Sequence, residues 1–115
     1  MKTVYIDILG TGYDIITATE EECPKLKDKD GFCDPSIKKI FVRDLNKEKD
    51  DPDCLADLET YRRKVIRHEI VHAMFYESGL ATESGYYNDE TLVDWIAVQA
   101  PKLMAMFNRV GAEKT

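Results

Sequence analysis

The stretch LADLETYRRKVIRHEIVHAMFYES, from Leu55 to Ser78, decides how the second half of this 115-residue chain folds. It contains neither proline nor glycine, and its apolar and histidine side chains recur at the three- and four-residue spacing of one helix face. Gly79 follows directly, and glycine is a common helix stop. The pattern therefore predicts one long helix. The recurring positions are Leu58, Tyr61, Val65, His68, His72 and Phe75.

A second helix is predicted after a connection over residues 81–87. Asn88 or Asp89 is a good N-cap, because a short polar side chain there accepts a hydrogen bond from the free N–H groups of the first turn. The helical pattern then runs through Gln99 and on to about Val110. Pro101 lies inside it and is expected to kink or restart the helix.

The first third of the chain has the alternating pattern of β-strands. Thr3–Leu9 and Tyr13–Thr19 flank a glycine-containing turn, which predicts a hairpin. Residues 31–33 and 37–43 flank a turn with proline and predict a second, shorter pair. Strands followed by helices indicate an α+β fold, with a small antiparallel or mixed sheet packed on two long helices. The length suits one domain over residues 1–115.

Composition and charge narrow the class of protein. The chain is 43% hydrophobic and 33% charged, as expected for a globular protein, and its net charge is -6. Direct nucleic-acid binding is not expected, because phosphate affinity comes from clustered Lys and Arg. No apolar run approaches the length of a membrane span, and no signal-like core is visible, so a cytoplasmic protein is expected.

The three cysteines agree with that expectation. Cys23, Cys33 and Cys54 are an odd number at wide spacings, without a CxxC pair. Reduced, mostly structural thiols are therefore expected, and a Cys23–Cys33 disulfide is the alternative.

The segment His68-Glu69-Ile70-Val71-His72 contains the only two histidines of the chain and has the spacing HExxH. Residues four apart lie on one helix face, with their Cβ atoms about 6 Å apart. Two such imidazoles can bind one zinc ion at about 2.0–2.1 Å. Glu69 can reach a water on the metal and accept its proton. A structural histidine on a helix is common, but both histidines falling in this pattern favours a metal site.

Catalytic zinc needs a third protein ligand, and with no further His, and no Cys after the motif, it has to be a carboxylate unless another chain supplies it. Glu90 is favoured because it lies beside apolar residues on the second helix, four residues before Asp94. Asp94 could accept a hydrogen bond from the second ring nitrogen of His68 or His72. The other candidates downstream of the motif are Glu77, which points off the zinc face, Glu83 in the loop and Asp89 at the helix terminus.

These residues resemble the gluzincin metallopeptidases, in which a Glu on the second helix binds zinc and an Asp four residues later bonds a ligand His. The short length and the β-first layout look most like the compact ImmA/IrrE-type peptidases of bacteria and phages. The resemblance covers residues 67–99 well and the β half loosely. It implies a minimal zincin-like domain with one zinc ion, a peptide or protein substrate and an edge strand that binds it. Residues 37–43 are the candidate edge. The helix-turn-helix partner that often accompanies the family is not visible.

The expected activity is hydrolysis of peptide bonds, with Glu69 as general base. A second group should stabilise the developing oxyanion, and Tyr86 and Tyr87, just before the ligand helix, are the favoured candidates. The remaining options are Tyr76, Arg62 and Arg67, of which Arg67 is expected on the helix exterior.

Three other functions fit the sequence. One is a catalytically silent zincin-fold module that binds proteins. Another is a phage or mobile-element accessory factor. The third is a latent enzyme whose cleft is covered by residues 101–115.

Overall fold

The structure is a computed structural model, and it describes residues 1–48, 57–80 and 89–115. Within these ranges four strands are followed by two long helices. One short 3-10 helix follows the second strand, and another follows the fourth strand. The predicted α+β class is confirmed. The elements are β1 (Lys2–Ile8), β2 (Thr11–Ala18), a 3-10 helix (Pro24–Leu26), β3 (Gly31–Asp34), β4 (Lys39–Arg43), a 3-10 helix (Leu45–Glu48), α1 (Leu58–Glu77) and α2 (Glu90–Arg109).

The sheet is mixed, with the strand order β1-β2-β4-β3. β1 pairs antiparallel with β2, and β3 pairs antiparallel with β4, so both predicted strand pairs are present. β2 and β4 pair in parallel and join the two halves. The long connection between them, over residues 19–38, is the crossover that a parallel pair requires.

The prediction that residues 37–43 form the edge strand is wrong. β4 lies inside the sheet between β2 and β3, and the alternate residues Ile40 and Val42 are fully buried. The parallel pairing with β2 depends on contacts far apart in sequence, which local alternation does not report. Of the described strands, β1 and β3 form the two edges.

One face of the sheet and α1 form the core. Tyr13, Ile40 and Val42 are fully buried and belong to the same apolar cluster as Val65 and Ala73 of α1. This packing holds α1 against the sheet along the length that contains the HExxH segment. α2 in turn packs on α1, with two fully buried residues of its own, Val93 and Ala97.

Both long helices begin at aspartate caps. The Asp57 side chain accepts from the Thr60 N–H at 3.1 Å, and the Asp89 side chain accepts from the Leu92 N–H at 3.0 Å. The second cap agrees with the sequence pattern. α1 ends before Gly79, which has a φ of 87°. α2 continues through Pro101 as one helix rather than restarting there.

The C-terminal half of α2 extends away from the body. Every residue from 101 to 110 is exposed, and the residues that line the two cavities beside the HExxH segment come from other parts of the chain. Residues 101–115 therefore cover neither of these cavities, and the hypothesis that they block a cleft is wrong. Neither of the two long helices, nor any other described helix, is long and apolar enough to cross a membrane.

The cysteines that the structure describes are free. Cys23 and Cys33 form no disulfide, which excludes the alternative pairing, and Cys54 lies outside the described residues. Burial raises the pKa of the Cys33 thiol to about 12, so this side chain is neutral at physiological pH.

Candidate metal centre

The two histidines of the motif lie one turn apart on the face of α1 that meets α2. Their ring centroids are 4.9 Å apart, with the planes at 65°. His72 is buried and His68 is partly buried. The helical geometry of α1 brings the two Nε2 atoms towards one point at the start of α2.

Glu90 completes this group. It is the first residue of α2, directly after the Asp89 cap. Its Oε1 lies 2.8 Å from Nε2 of His72, and its Oε2 lies 2.9 Å from Nε2 of His68. One ligand atom from each of the three residues lies within 4.8 Å of the others, so the group could hold a metal ion.

The donor set fits a catalytic zinc ion. Two imidazole nitrogens and one carboxylate oxygen are three ligands of the type found in such sites, where a fourth position stays open. Tetrahedral donors at about 2.0–2.1 Å from zinc are roughly 3.3 Å apart, whereas the ligand atoms of this group lie within 4.8 Å of one another, so the side chains would draw together around an ion. The Glu90 side chain is 66% exposed, which leaves the group open towards solvent.

The other carboxylates considered from the sequence have different positions. Glu77 accepts hydrogen bonds from Tyr13, Thr11 and Lys38 at the end of α1. Asp89 caps α2. Glu83 lies outside the described residues.

Asp94 lies beside His68, one helical turn after Glu90. Its Oδ1 is 3.2 Å from Nδ1 of His68 and 3.0 Å from Nζ of Lys64. The hydrogen bond from Lys64 and the one from His68 lower the pKa of Asp94 below its usual range. An ionised Asp94 accepts a hydrogen bond from the Nδ1–H of His68. In the tautomer with its proton on Nδ1, His68 keeps on Nε2 the lone pair that binds a metal. Of the two histidines that the sequence offered as its partner, Asp94 lies beside His68.

Glu69 lies at the base of the group and is only 7% exposed. The pKa of Glu69 is raised to about 7, mainly by burial, with a smaller contribution from the charge of Glu90, whereas charges on His68 and Lys29 oppose the shift. The edge strand β3 contributes to this burial through Gly31. A Cβ at Gly31 would lie 3.0 Å from Cγ1 of Val65, 3.1 Å from the carbonyl oxygen of Phe41 and 3.4 Å from Cγ of Glu69, so the close approach of β3 to α1 leaves little room for a larger side chain there.

Two cavities open beside the group. One has a volume of about 360 Å³ and runs between β3 and the three metal-binding candidates. The other has a volume of about 280 Å³ and lies towards the start of α1. Lys29 lines both and is the cationic residue that they share. The residues around the first cavity are Lys29, Gly31, Phe32, Cys33, His68, Glu69, His72 and Glu90. The second is also lined by Asp30, Tyr61, Lys64, Val65 and Asp94.

The candidates for a second oxyanion stabiliser have mixed positions. Tyr86 and Tyr87 lie outside the described residues. Tyr76 lies with its ring under Nζ of Lys38, which also donates to the carboxylate of Glu77. Arg62 pairs with Glu59 near the start of α1. Arg67 is partly buried and donates to a backbone carbonyl of α2, so the prediction that it lies on the helix exterior is wrong.

Sequence reasoning missed Lys29, Phe32 and Gly31 as residues near the group. They precede the motif by more than thirty residues and reach it only because β3 packs against α1. No local spacing links them to the histidines. A scan against models of known protein families finds no match, and comparisons with curated proteins and with solved structures return no significant match.

Proposed function

We propose that this protein is a zinc-dependent peptidase of the HExxH type, similar in its site to the gluzincins. The observation that carries the proposal is the convergence of His68, His72 and Glu90 within 4.8 Å, with Glu69 buried beside them. When bound, a zinc ion supplies a Lewis acid that activates water and polarises a carbonyl oxygen. The remaining steps belong to side chains of this chain.

Glu69 is the general base in this proposal. A base is most effective when its pKa is near the working pH, and burial brings the pKa of Glu69 to about 7 in the metal-free protein. Glu69 would accept a proton from the attacking water and return it to the leaving amine. The Asp94 carboxylate would keep the proton of His68 on Nδ1 throughout.

The open edge of β3 supports a peptide as the substrate. β3 pairs with β4 on one side and is unpaired on the other, and its residues Gly31, Phe32 and Cys33 line the cavity that contains the metal-binding candidates. An extended peptide could add to this edge through main-chain hydrogen bonds, which would bring one of its carbonyl groups to the site. Lys29 lines the same cavity and offers a positive charge to a developing oxyanion.

The proposal is tested by metal content and by hydrolysis of a pool of internally quenched peptides. Wild-type protein should bind one zinc ion per chain and cleave members of the pool. Glu69→Gln should keep the zinc and lose at least roughly a hundredfold in rate, because it removes the general base. His72→Ala should lose the zinc and the activity together.

Glu59→Gln is the matched control, since Glu59 is an exposed acid of the same helix that pairs with Arg62 and Arg63. It should change neither zinc content nor rate. Wild-type protein that binds no zinc would overturn the metal assignment. Zinc-loaded protein that cleaves nothing in the pool would favour the silent binding module instead.

A further inference from the structure

Pro101 interrupts the hydrogen bonding of α2 at its midpoint. Proline has no N–H, so residue 101 cannot donate to the carbonyl four residues earlier, that of Ala97. The helix nevertheless continues on both sides of this position. The carbonyl of Ala97 therefore lacks the donor that a continuous helix would give it.

Arg67 donates to that carbonyl from the neighbouring helix. Its Nε lies 2.6 Å from the oxygen of Ala97. A charged donor makes a shorter and stronger hydrogen bond than a neutral one, and the guanidinium group keeps its charge at every relevant pH. Arg67 directly precedes His68, so the bond joins the metal-binding turn of α1 to the middle of α2.

This bond lies on the same side of α2 as the metal-binding group. Ala97 is fully buried and follows Glu90 by seven residues, which is about two helical turns. Holding the Ala97 carbonyl therefore fixes both the rotation of α2 and its position along its axis. The other buried residue of this face, Val93, offers only a small side chain, which gives little resistance to sliding.

The required precision is high. A helix rises about 1.5 Å per residue, whereas metal–ligand distances tolerate only about 0.2 Å. A slide of one residue would therefore carry the Glu90 backbone about 1.5 Å from the position at which its carboxylate meets both histidines. Apolar contact alone does not define an axial position this closely.

We infer that Arg67 and Pro101 are positioning residues for the third metal ligand. Pro101 frees the Ala97 carbonyl, Arg67 binds it, and the bond holds α2 where Glu90 meets both histidines. The inference rests on the metal site of the proposed function, but it concerns the geometry of the protein and not its hydrolytic activity.

The experiment compares Arg67→Met, Pro101→Ala and the double variant. Zinc affinity is measured by competition with a chromophoric chelator, and thermal unfolding is measured on the metal-free proteins. Arg67→Met and the double variant should each lose zinc affinity by roughly tenfold, because each removes the bond between Arg67 and Ala97. The double variant should lose no more than Arg67→Met, and Pro101→Ala should lose less than either, because the Ala97 carbonyl has two lone pairs and can accept from both residue 101 and Arg67.

Thermal stability separates positioning from a merely structural role. Arg67→Met alone should lower the Tm, because it leaves a buried carbonyl without a donor. Pro101→Ala should not lower the Tm, because residue 101 then supplies the missing N–H. In that background Arg67→Met should leave the Tm unchanged. A structural role predicts instead that zinc affinity follows the Tm, so that the double variant would bind zinc as tightly as wild type.

Arg63→Met is the control, since Arg63 is an exposed arginine of α1 that pairs with Glu59. Proton NMR of the two histidine rings gives a readout without metal or activity. Both signals should move in Arg67→Met and stay in place in Arg63→Met, even if the wild-type protein binds no zinc. Unchanged histidine signals in Arg67→Met, or full zinc affinity in the double variant, would overturn the inference.

Discussion

At the scale of single residues, the burial of Glu69 creates a dependence of stability on pH. The pKa of Glu69 is raised to about 7 in the metal-free fold, well above its usual range. Between the ordinary pKa of a glutamate and pH 7 the folded state therefore holds a proton that the unfolded chain has lost. Stability falls as pH rises through this window, since a buried charge has to form in the folded protein.

Glu69→Gln should remove this cost. In the metal-free protein the variant should match wild type near pH 4 and exceed it by about 3 kcal/mol at pH 8, since each pKa unit corresponds to about 1.4 kcal/mol. Urea unfolding of both proteins in the presence of a chelator measures the difference. A difference that stays constant from pH 4 to pH 8 would contradict the burial of an ionisable Glu69.

The residues at the site differ in how far the sequence predicts them. His68, Glu69 and His72 follow from spacing within one helix, and Glu90 follows from its place beside apolar residues on the next helix. Lys29 and Gly31 cannot be found this way, because their place depends on how the edge strand packs against α1. The raised pKa of Glu69 depends on the same packing and is likewise hidden from the sequence.

At the scale of elements, Glu77 joins the end of α1 to the sheet. Its carboxylate accepts from the hydroxyl of Tyr13 at 2.6 Å, from the hydroxyl of Thr11 at 3.0 Å and from Nζ of Lys38 at 2.8 Å. A negative charge is unfavourable at the C-terminus of a helix because of the helix dipole. The positive charge of Lys38 offsets this effect on Glu77. These bonds hold the pKa of Glu77 below its usual range.

Glu77→Gln should therefore destabilise the protein by about 1–3 kcal/mol at pH 7, because the amide replaces an ionised acceptor of three hydrogen bonds. Lys38→Met should cost less, since it removes only the most exposed of the three donors. The wild-type advantage should disappear as pH falls through the lowered pKa of Glu77, where the carboxylate gains a proton. Urea unfolding of wild type and of the two variants at pH 7 and pH 3 measures the loss of stability. An equal loss at both pH values would contradict this role of Glu77.

The elements also show where local pattern is sufficient. Both strand pairs and both helices were predicted, because alternation, helical spacing and caps such as Asp89 act within a few residues. The position of β4 is predicted wrongly, as an edge strand, because its parallel pairing with β2 joins residues about 25 apart, as in Asp14 with Lys39. The carbonyl of Ala97, for which Pro101 has no N–H, accepts from Arg67 of another helix, and no pattern within α2 reveals this donor.

At the scale of the whole molecule, α2 depends on α1 more than on the sheet. The sheet and α1 share one apolar core, whereas the main packing partner of α2 among the described elements is α1. Val93 and Ala97 are the buried residues of α2, and its half beyond residue 100 is exposed. An ion shared by His68, His72 and Glu90 would therefore connect the more weakly held helix to the core.

Zinc should accordingly stabilise the protein unevenly. At a free concentration of 100 times its Kd, an ion that binds only the folded state adds about 2.7 kcal/mol to the free energy of unfolding. Amide hydrogen exchange should show the largest protection near Glu90 at the start of α2 and little change in the hairpin of β1 and β2, which shares no residue with the site. His72→Ala should show neither effect. Equal protection of the hairpin and of α2 would mean that zinc does not act by joining the two helices.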